Sequence, residues 1–464
     1  MAATSDAKPG AASSLRDTIA AALSALPNPH QLGLTVVSSS PKRTTALFPH
    51  SPSAGVRCTE VEHLVVVHSE LPAEFTSEPS NVLAAAISAH VFTLPTAPST
   101  PATSLLYISK VDSSGYALPG APLTRELAVG VLRHFLAPAT RPTPRVAATL
   151  FARSQGQYLF PNSVEGGGKR VLGGLGLCGW WKGVYEEAAR RLVADGVSPG
   201  DLDLRYLLPS YSAPEAAGML GAPRRPLPVG VSWRYAPPFV SQLLPEAGVP
   251  SLATLVPSLP DDPKTRFLDE LVGEAVDAVP IALTKTGKDK EPSEPRKRSR
   301  KEKDAAEEEE DRARAHAALA KIPPAEFWER LGFRQECVSG DVTGFFSATL
   351  SPSEAAQVEE KDVKEAKDEE KDAASTKRTL SQALVERLLK SMLNTDFATR
   401  ALAAEGTANW LASARSIVTD ELGEEGWAAS TATIAAKAGV EAAAAPPKRK
   451  EETVTMLQPR KKKK

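Results

Sequence analysis

Apolar positions along this chain fall into two spacings. Residues 15–26 place Leu15, Ile19, Leu23 and Leu26 at helical intervals, and Pro27 stops the run. Three short apolar stretches then read as strands: 61–68, rich in valine; 86–94, containing I-S-A-H-V-F-T-L; and 105–111, L-L-Y-I-S-K-V. A D-S-S-G-Y turn breaks the last of these at Gly115. Helical spacing returns at 123–136 (Leu127, Val131, Phe135), with Thr124 as the expected cap. Residues 146–151 form a strand, 175–193 a helix and 202–208 a short strand. Residues 223–239, with five prolines, are extended and irregular. Asp262-Pro263 opens a further helix in a favoured way, an Asp cap with Pro in the first turn, and Phe267, Leu268, Leu271, Val272 and Ala275 share one of its faces. The segment from Phe327 to Leu350 reads as helix, turn and strand, and 380–418 is helical.

This mixture predicts an α/β fold, a central mixed sheet surrounded by helices, interrupted by charged loops. The expected divisions are a flexible N-terminus (1–14), a first part of the core (15–283), a disordered charged insertion (284–320), a returning helix and strand (321–350), a charged linker (351–377), C-terminal helices packing on the core (378–420) and a disordered basic tail (421–464).

Composition adjusts this picture. A hydrophobic content of 42% supports a real core, but 39 prolines go with sizeable irregular parts. The three cysteines (Cys58, Cys178, Cys337) lie far apart with no C-x-x-C, which argues against a zinc site or a disulfide framework and suits a reducing compartment. The first ten residues have no apolar h-region and there is no 18-residue apolar run, so neither a secretory signal nor a membrane span is expected. Net charge is −1, yet charge is blocked: residues 448–464 hold eight cations against two acids, and 285–304 hold nine against five, including R-K-R-S-R-K from Arg296. Such blocks are solvated tails that also serve for nuclear import or as handles for nucleic acid or acidic chaperones.

The richest stretch is 153–181, R-S-Q-G-Q-Y-L-F-P-N-S-V-E-G-G-G-K-R-V-L-G-G-L-G-L-C-G-W-W. A glycine-rich basic turn entering a helix can bring backbone N–H groups and cations onto a phosphate, although no P-loop or G-x-G-x-x-G is present. G-x-S-x-G, H-E-x-x-H and the R/Q-x-x-G-x-G/A acetyltransferase motif are also missing, and the seven histidines are scattered.

Four blocks carry a resemblance. They are L-L-Y-I-S-K-V-D-S-S-G-Y; the 153–181 stretch with Y-L-F-P-x-S, K-x-V-L and W-W; P-D-D-P-K-T-R-F-L-D-E-L; and F-W-E-R-L-G-F-R-Q-E-C-V-S-G-D-V-T-G-F. In this order they resemble the fungal Rtt-type histone lysine acetyltransferases. The departures are the glycine triplet 166–168, where the family is often polar or charged, and Arg170, where His is common. The resemblance implies a core like that of the CBP-type acetyltransferases, with acetyl-coenzyme A as cosubstrate in a tunnel beside the 153–181 loop, and no metal. It implies that Arg153, Lys169 and Arg170 meet the coenzyme's phosphates, that Tyr107, Ser109 and Phe151 complete its binding site, and that Tyr158 and Trp181 wall the lysine channel. Asp112 matches the family's functional aspartate, as a proton relay, as an orienter of the lysine, or simply as the turn-forming Asp before S-S-G. Lys264 matches a lysine that the family acetylates on itself, with Asp261 and Asp262 in support. The implied setting is the nucleus. The implied partners are histones, newly made histone H-three above all, and histone chaperones of the Asf and Vps types, with weak nucleic-acid contact through the basic tails and a role in replication-coupled nucleosome assembly and the DNA damage response. The competing reading is a non-catalytic chromatin or nucleic-acid adaptor that works through those tails.

Overall fold

The structure, a computed structural model, describes residues 13–27, 31–51, 57–71, 80–95, 101–116, 122–166, 168–239, 251–277, 300–334, 341–351 and 378–435. The chain order is α1 (Leu15–Ser24), β1 (Leu32–Ser38), β2 (Lys42–Thr44), β3 (Cys58–Leu71), β4 (Ser80–Thr93), β5 (Thr103–Ser113), α2 (Leu123–Leu136), β6 (Arg145–Ala152), α3 (Gly174–Ala194), β7 (Leu202–Leu207), α4 (Ala213–Leu220), β8 (Trp233–Tyr235), α5 (Leu252–Leu255), α6 (Pro263–Asp277), α7 (Arg300–Leu319), α8 (Pro324–Gly332), β9 (Gly344–Leu350), α9 (Gln382–Leu393), α10 (Arg400–Ser430) and β10 (Thr431–Ile434).

Among the described residues the strands form one mixed sheet in the order β10-β1-β3-β4-β5-β6-β9-β7-β8, with β2 on β3. Neighbours are antiparallel except β5–β6 and β7–β8. Side chains alternate between faces along a strand, and both faces of this sheet are covered. Val65 and Val67 of β3 point to a core shared with α1, α2 and α3, while Leu64 and Val66 point to one shared with α9 and α10. A third core, on the same face as the second, packs α6, α7 and α8 on Leu105, Tyr107 and Phe345. Burial on both sides explains why β3 and β4 read as nearly continuous apolar runs, and why alanine dominates the middle of β4, where Ala84, Ala85 and Ala86 are fully buried.

The structure departs from the expected divisions in three places. α7 starts at Arg300, inside the stretch expected to be disordered to residue 320, and Ala315, Ala318 and Leu319 bury its end against α6. Its Glu, Lys, Ala and Arg are strong helix formers, and only its last turns carry the apolar face, so charge density hid it. Order also continues past residue 420. Gly423, at φ 74°, breaks α10 and lets the chain return so that β10 pairs with β1. β1 itself was not expected. A smaller departure concerns α2: its cap is Pro122 with no side-chain bond, not Thr124. Residues 1–12, 284–299, 352–377 and 436–464 lie outside the described residues, as does Cys337.

Three histidines are built into the sheet and its cover as neutral groups. Burial lowers His63 to about 3, the charges of His134 and His90 adding to this, and burial alone lowers His68 and His134 to about 4. Below their ordinary value near 6.5 the unfolded chain takes up these protons and the folded chain does not, so stability is fully present above about pH 6.5 and is lost as pH falls toward about 4. Chemical-denaturation midpoints measured from pH 8 to pH 4 should be level down to about pH 6.5 and then decline. A profile level to pH 4.5 would mean that these side chains protonate without loss of structure.

Candidate active site

β5 and β6 run side by side only from Thr103/Arg145 to Tyr107/Thr149. Beyond that point each follows its other neighbour. Residues 108–113 stay on β4, with a bulge at Ser109, and Leu150, Phe151 and Ala152 stay on β9. The two strands therefore part and leave facing edges of backbone N–H and C=O groups. The wedge between them is a cleft of about 920 Å³, its open mouth included, lined by both strand ends, by the 153–172 loop and by Leu177, Trp180 and Trp181 of α3.

One carboxylate organises the loop. Asp112 Oδ2 accepts the backbone N–H groups of Tyr158 (2.8 Å), Leu159 (2.9 Å) and Phe160 (3.2 Å). Its Oδ1 accepts Ser113 N (2.8 Å) and the Lys169 ammonium (2.6 Å), which also donates to Ser163 Oγ at 2.9 Å. The Asp112 and Lys169 side chains are only 3% and 6% exposed. The loop's glycines belong to the same packing. Gly115 has φ 83°, and a Cβ on it would lie 2.5 Å from Lys169 N; one on Gly168 would lie 2.5 Å from the Gly115 carbonyl oxygen. The D-S-S-G turn and Gly168 thus touch backbone to backbone, which accounts for glycine at that position where the family is often polar or charged. Tyr116 then donates to the Phe397 carbonyl (2.9 Å), tying the turn to the α9–α10 corner.

The aromatic wall is fixed by its own contacts. Tyr158 donates to the Arg153 carbonyl and accepts Gln155 N at 3.0 Å, and burial, opposed in part by that bond, pushes its phenol up to about 12. Trp181 is buried, edge-on to Trp180 with ring centroids 4.7 Å apart. Phe151 lines the cleft and stacks on Phe345 at 4.7 Å. Arg153 and Arg170 are exposed at the cleft, and among the described residues no carboxylate pairs with either. Ser109 lines it too, with its hydroxyl turned to the Ser88 carbonyl at 3.1 Å.

A second buried pair lies next door. Lys264, 1% exposed, is bonded to Asp262, whose Oδ1 accepts Lys264 N at 2.9 Å. Asp261 pairs instead with Lys110 at 2.5 Å, a bond that holds its carboxyl below the usual range.

The KAT11-type histone acetyltransferase domain profile matches residues 134–413, well over half of the chain and all of the 153–181 loop. The chain belongs to the KAT11-type histone acetyltransferase family. It is 30% identical over 347 residues to histone acetyltransferase rtt109 of Aspergillus flavus, covering 70% of this chain and 55% of that protein. To rtt109 of Schizosaccharomyces pombe it is 27% identical over 251 residues, 53% of this chain and 52% of that one. The matches thus span about half the length of these curated relatives. The crystal structure of Rtt109 from Aspergillus fumigatus superimposes with a TM-score of 0.63 at 21% identity, over 91% of this chain and 99% of that one, which establishes the shared fold.

Within this KAT11-type fold the expected site residues divide. Ser109, Asp112, Phe151, Arg153, Tyr158, Lys169, Arg170 and Trp181 all line one cleft. Two have protein partners of their own. The Lys169 ammonium donates to Asp112 and Ser163. Tyr107 turns its hydroxyl to the Pro260 carbonyl (2.9 Å), outside the cleft lining. The N-terminus of α3 is not an open anion site either, because both Asp341 oxygens accept Gly174 N, at 2.7 and 2.8 Å. Asp341 follows a long excursion of chain, so no local pattern marks it as this helix's cap. Cys178 is buried, and its thiol is pushed up to about 12 by that burial and by the Asp341 charge, which removes it as a nucleophile. Away from the cleft, Glu60, Glu62 and His90 bring their ligand atoms within 4.8 Å; His90 Nδ1 bonds Glu60 at 3.0 Å and Glu62 accepts Gln382 at 2.7 Å.

Removing one member of the buried pair leaves the other charge without its partner. Lys169→Met should lower unfolding free energy by on the order of 3 kcal/mol, and Lys169→Arg by much less. Urea titrations of both variants check this; equal and small losses would mean that the five-donor cradle does not depend on the lysine.

Proposed function

We propose that this protein transfers the acetyl group of acetyl-coenzyme A to lysine side chains of histones. The observation that carries the proposal is the cleft opened by the parting of β5 and β6, closed by the Asp112-clamped loop, in a KAT11-type domain. Arg153 and Arg170, exposed at the cleft with no carboxylate partner among the described residues, suit the coenzyme's phosphates, since guanidinium groups match phosphate oxygens in pairs. The strand edges of 108–113 and 150–152 offer backbone groups to an amide-bearing chain, and Phe151, Tyr158 and Trp181 offer apolar walls.

The coenzyme supplies an acetyl thioester. The incoming lysine must be neutral to attack it, forming the N–C bond as the C–S bond breaks; coenzyme A leaves as a thiolate, and the proton lost by the attacking nitrogen is taken up by that sulfur or by solvent. The residues lining the cleft act on this step by holding reactants and excluding water. Asp112 has five donors on two oxygens and no room for another proton partner, so it serves as the clamp that sets Tyr158 and the loop. Tyr158 keeps its proton at neutral pH and donates it in a hydrogen bond to the Arg153 carbonyl, so it is a wall and not a base. The amine therefore sheds its proton to solvent before binding, and proximity does the rest.

The family resemblance extends the proposal to newly made histone H-three, to chaperones of the Asf and Vps types as presenting partners, to the nucleus, and to acetylation of Lys264 by the protein itself. Lys264 is buried in an ion pair with Asp262, so acetylation would exchange that pair for a neutral amide beside the carboxylate.

Transfer of labelled acetyl from acetyl-coenzyme A to chaperone-bound histones tests the reading, with wild type beside Asp112→Asn and Trp181→Ala. Wild type should transfer, with kcat/KM rising with pH toward the amine's own pKa, and both variants should lose at least about tenfold. Wild-type coenzyme binding without any transfer, or no binding at all, would favour the adaptor that acts through its basic segments.

A further inference from the structure

The cleft and the pocket of Lys264 share a wall. The Lys264 ammonium lies 4.6 Å from the centroid of the Phe345 ring, and that ring also stacks on Phe151, which lines the cleft. A second connection runs through the turn before α6. Asp261 takes φ 56°, a conformation that costs a residue with a side chain about 1 kcal/mol or more and so needs outside support. β5 supplies it twice: Tyr107 donates to the Pro260 carbonyl at 2.9 Å, and Lys110 donates to the Asp261 carboxylate at 2.5 Å. Lys110 stands just past the bulge at Ser109, on the part of β5 that has left β6, and is one of the residues that line the cleft. Asp261 does not line it.

We propose that Lys110 is a positioning residue: its ion pair with Asp261 holds the 259–262 turn, and with it the Asp262–Lys264 pair, against the wall of the cleft, so that coenzyme affinity depends on a carboxylate that never touches the coenzyme. This rests on the acetyl-coenzyme A reading of the cleft. Stability is a separate quantity here. Asp261 is 70% exposed, and pairs with such exposure contribute at most about 1 kcal/mol to folding, so loss of the pair should act on binding and leave the fold alone. Were Lys110 instead a direct cation for the coenzyme, freeing its ammonium by Asp261→Asn would leave binding unchanged or tighten it.

The test is calorimetric titration of acetyl-coenzyme A into the full chain as wild type, Lys110→Ala, Lys110→Arg, Asp261→Asn and the Lys110→Ala/Asp261→Asn double variant, with kcat and coenzyme KM measured alongside. Lys110→Ala and Asp261→Asn should each weaken binding roughly fivefold, through KM more than kcat, and the double variant should be no worse than either single one. Lys110→Arg should bind like wild type, and all melting temperatures should stay within about 2 °C. Unchanged binding in Lys110→Ala, additive losses in the double variant, or neutral or tighter binding in Asp261→Asn would each overturn the proposal. Failure of the wild type to bind the coenzyme would instead remove the reading on which it rests.

Discussion

A carboxylate taken out of water loses several kcal/mol of hydration unless other donors replace that water, and Asp112 is given five: four backbone N–H groups and one ammonium. Three of the N–H groups are consecutive, Tyr158 to Phe160, so a single side chain fixes the path of the loop that closes the cleft. The ammonium, from Lys169, fixes the loop's far limb. The charge between them ties the two limbs together, and burial of Leu159 and Phe160 in the core shared with α9 and α10 holds the first limb as well. The glycine contacts follow from this: once Lys169 is drawn onto Asp112, the backbone around it meets the turn at Gly115 so closely that no Cβ fits on either side.

The cleft itself is a consequence of strand pairing. A strand has two hydrogen-bonding edges, and β5 and β6 keep their outer partners to the end while giving up each other after Tyr107 and Thr149. Unpaired edges inside a fold are costly unless something else pairs with them. A site made from such edges is thus incomplete without an occupant that carries its own amides, and the aromatic and apolar walls around it set the width that the occupant meets.

Much of this was legible in the chain. The strand ending at Asp112, the strand ending at Phe151, the helix bearing Trp181 and the D-D-P-K turn each have a strong local pattern, and the residues that they carry do meet in one place or beside it. What was not legible depends on partners far away in sequence. Lys169 beside glycines reads as a phosphate ligand, and nothing local shows that its ammonium also pairs with Asp112, 57 residues earlier. Tyr107 belongs to the right strand, but its alternation sends it to the 260 turn. Asp341 caps α3 across 167 residues. β1 and β10 are short and draw their stability from one another and from β3, while α7 shows the converse case, a helix whose order comes from intrinsic propensity and a small buried end under a mask of charge.

Saturation of Asp112 also decides what kind of catalyst this site can be. A general base needs an open lone pair and a pKa near the working pH, and the titratable groups that line this cleft are clamped, cationic or, like Tyr158, held protonated. On the proposed reading, such a site would accelerate acyl transfer by holding a neutral amine and a thioester at reacting distance with water excluded, which is worth several kcal/mol when the geometry is rigid. Rigidity is what the saturated carboxylate provides. Any substitution that frees a lone pair on Asp112 would gain a base and lose the loop that gives a base something to act on.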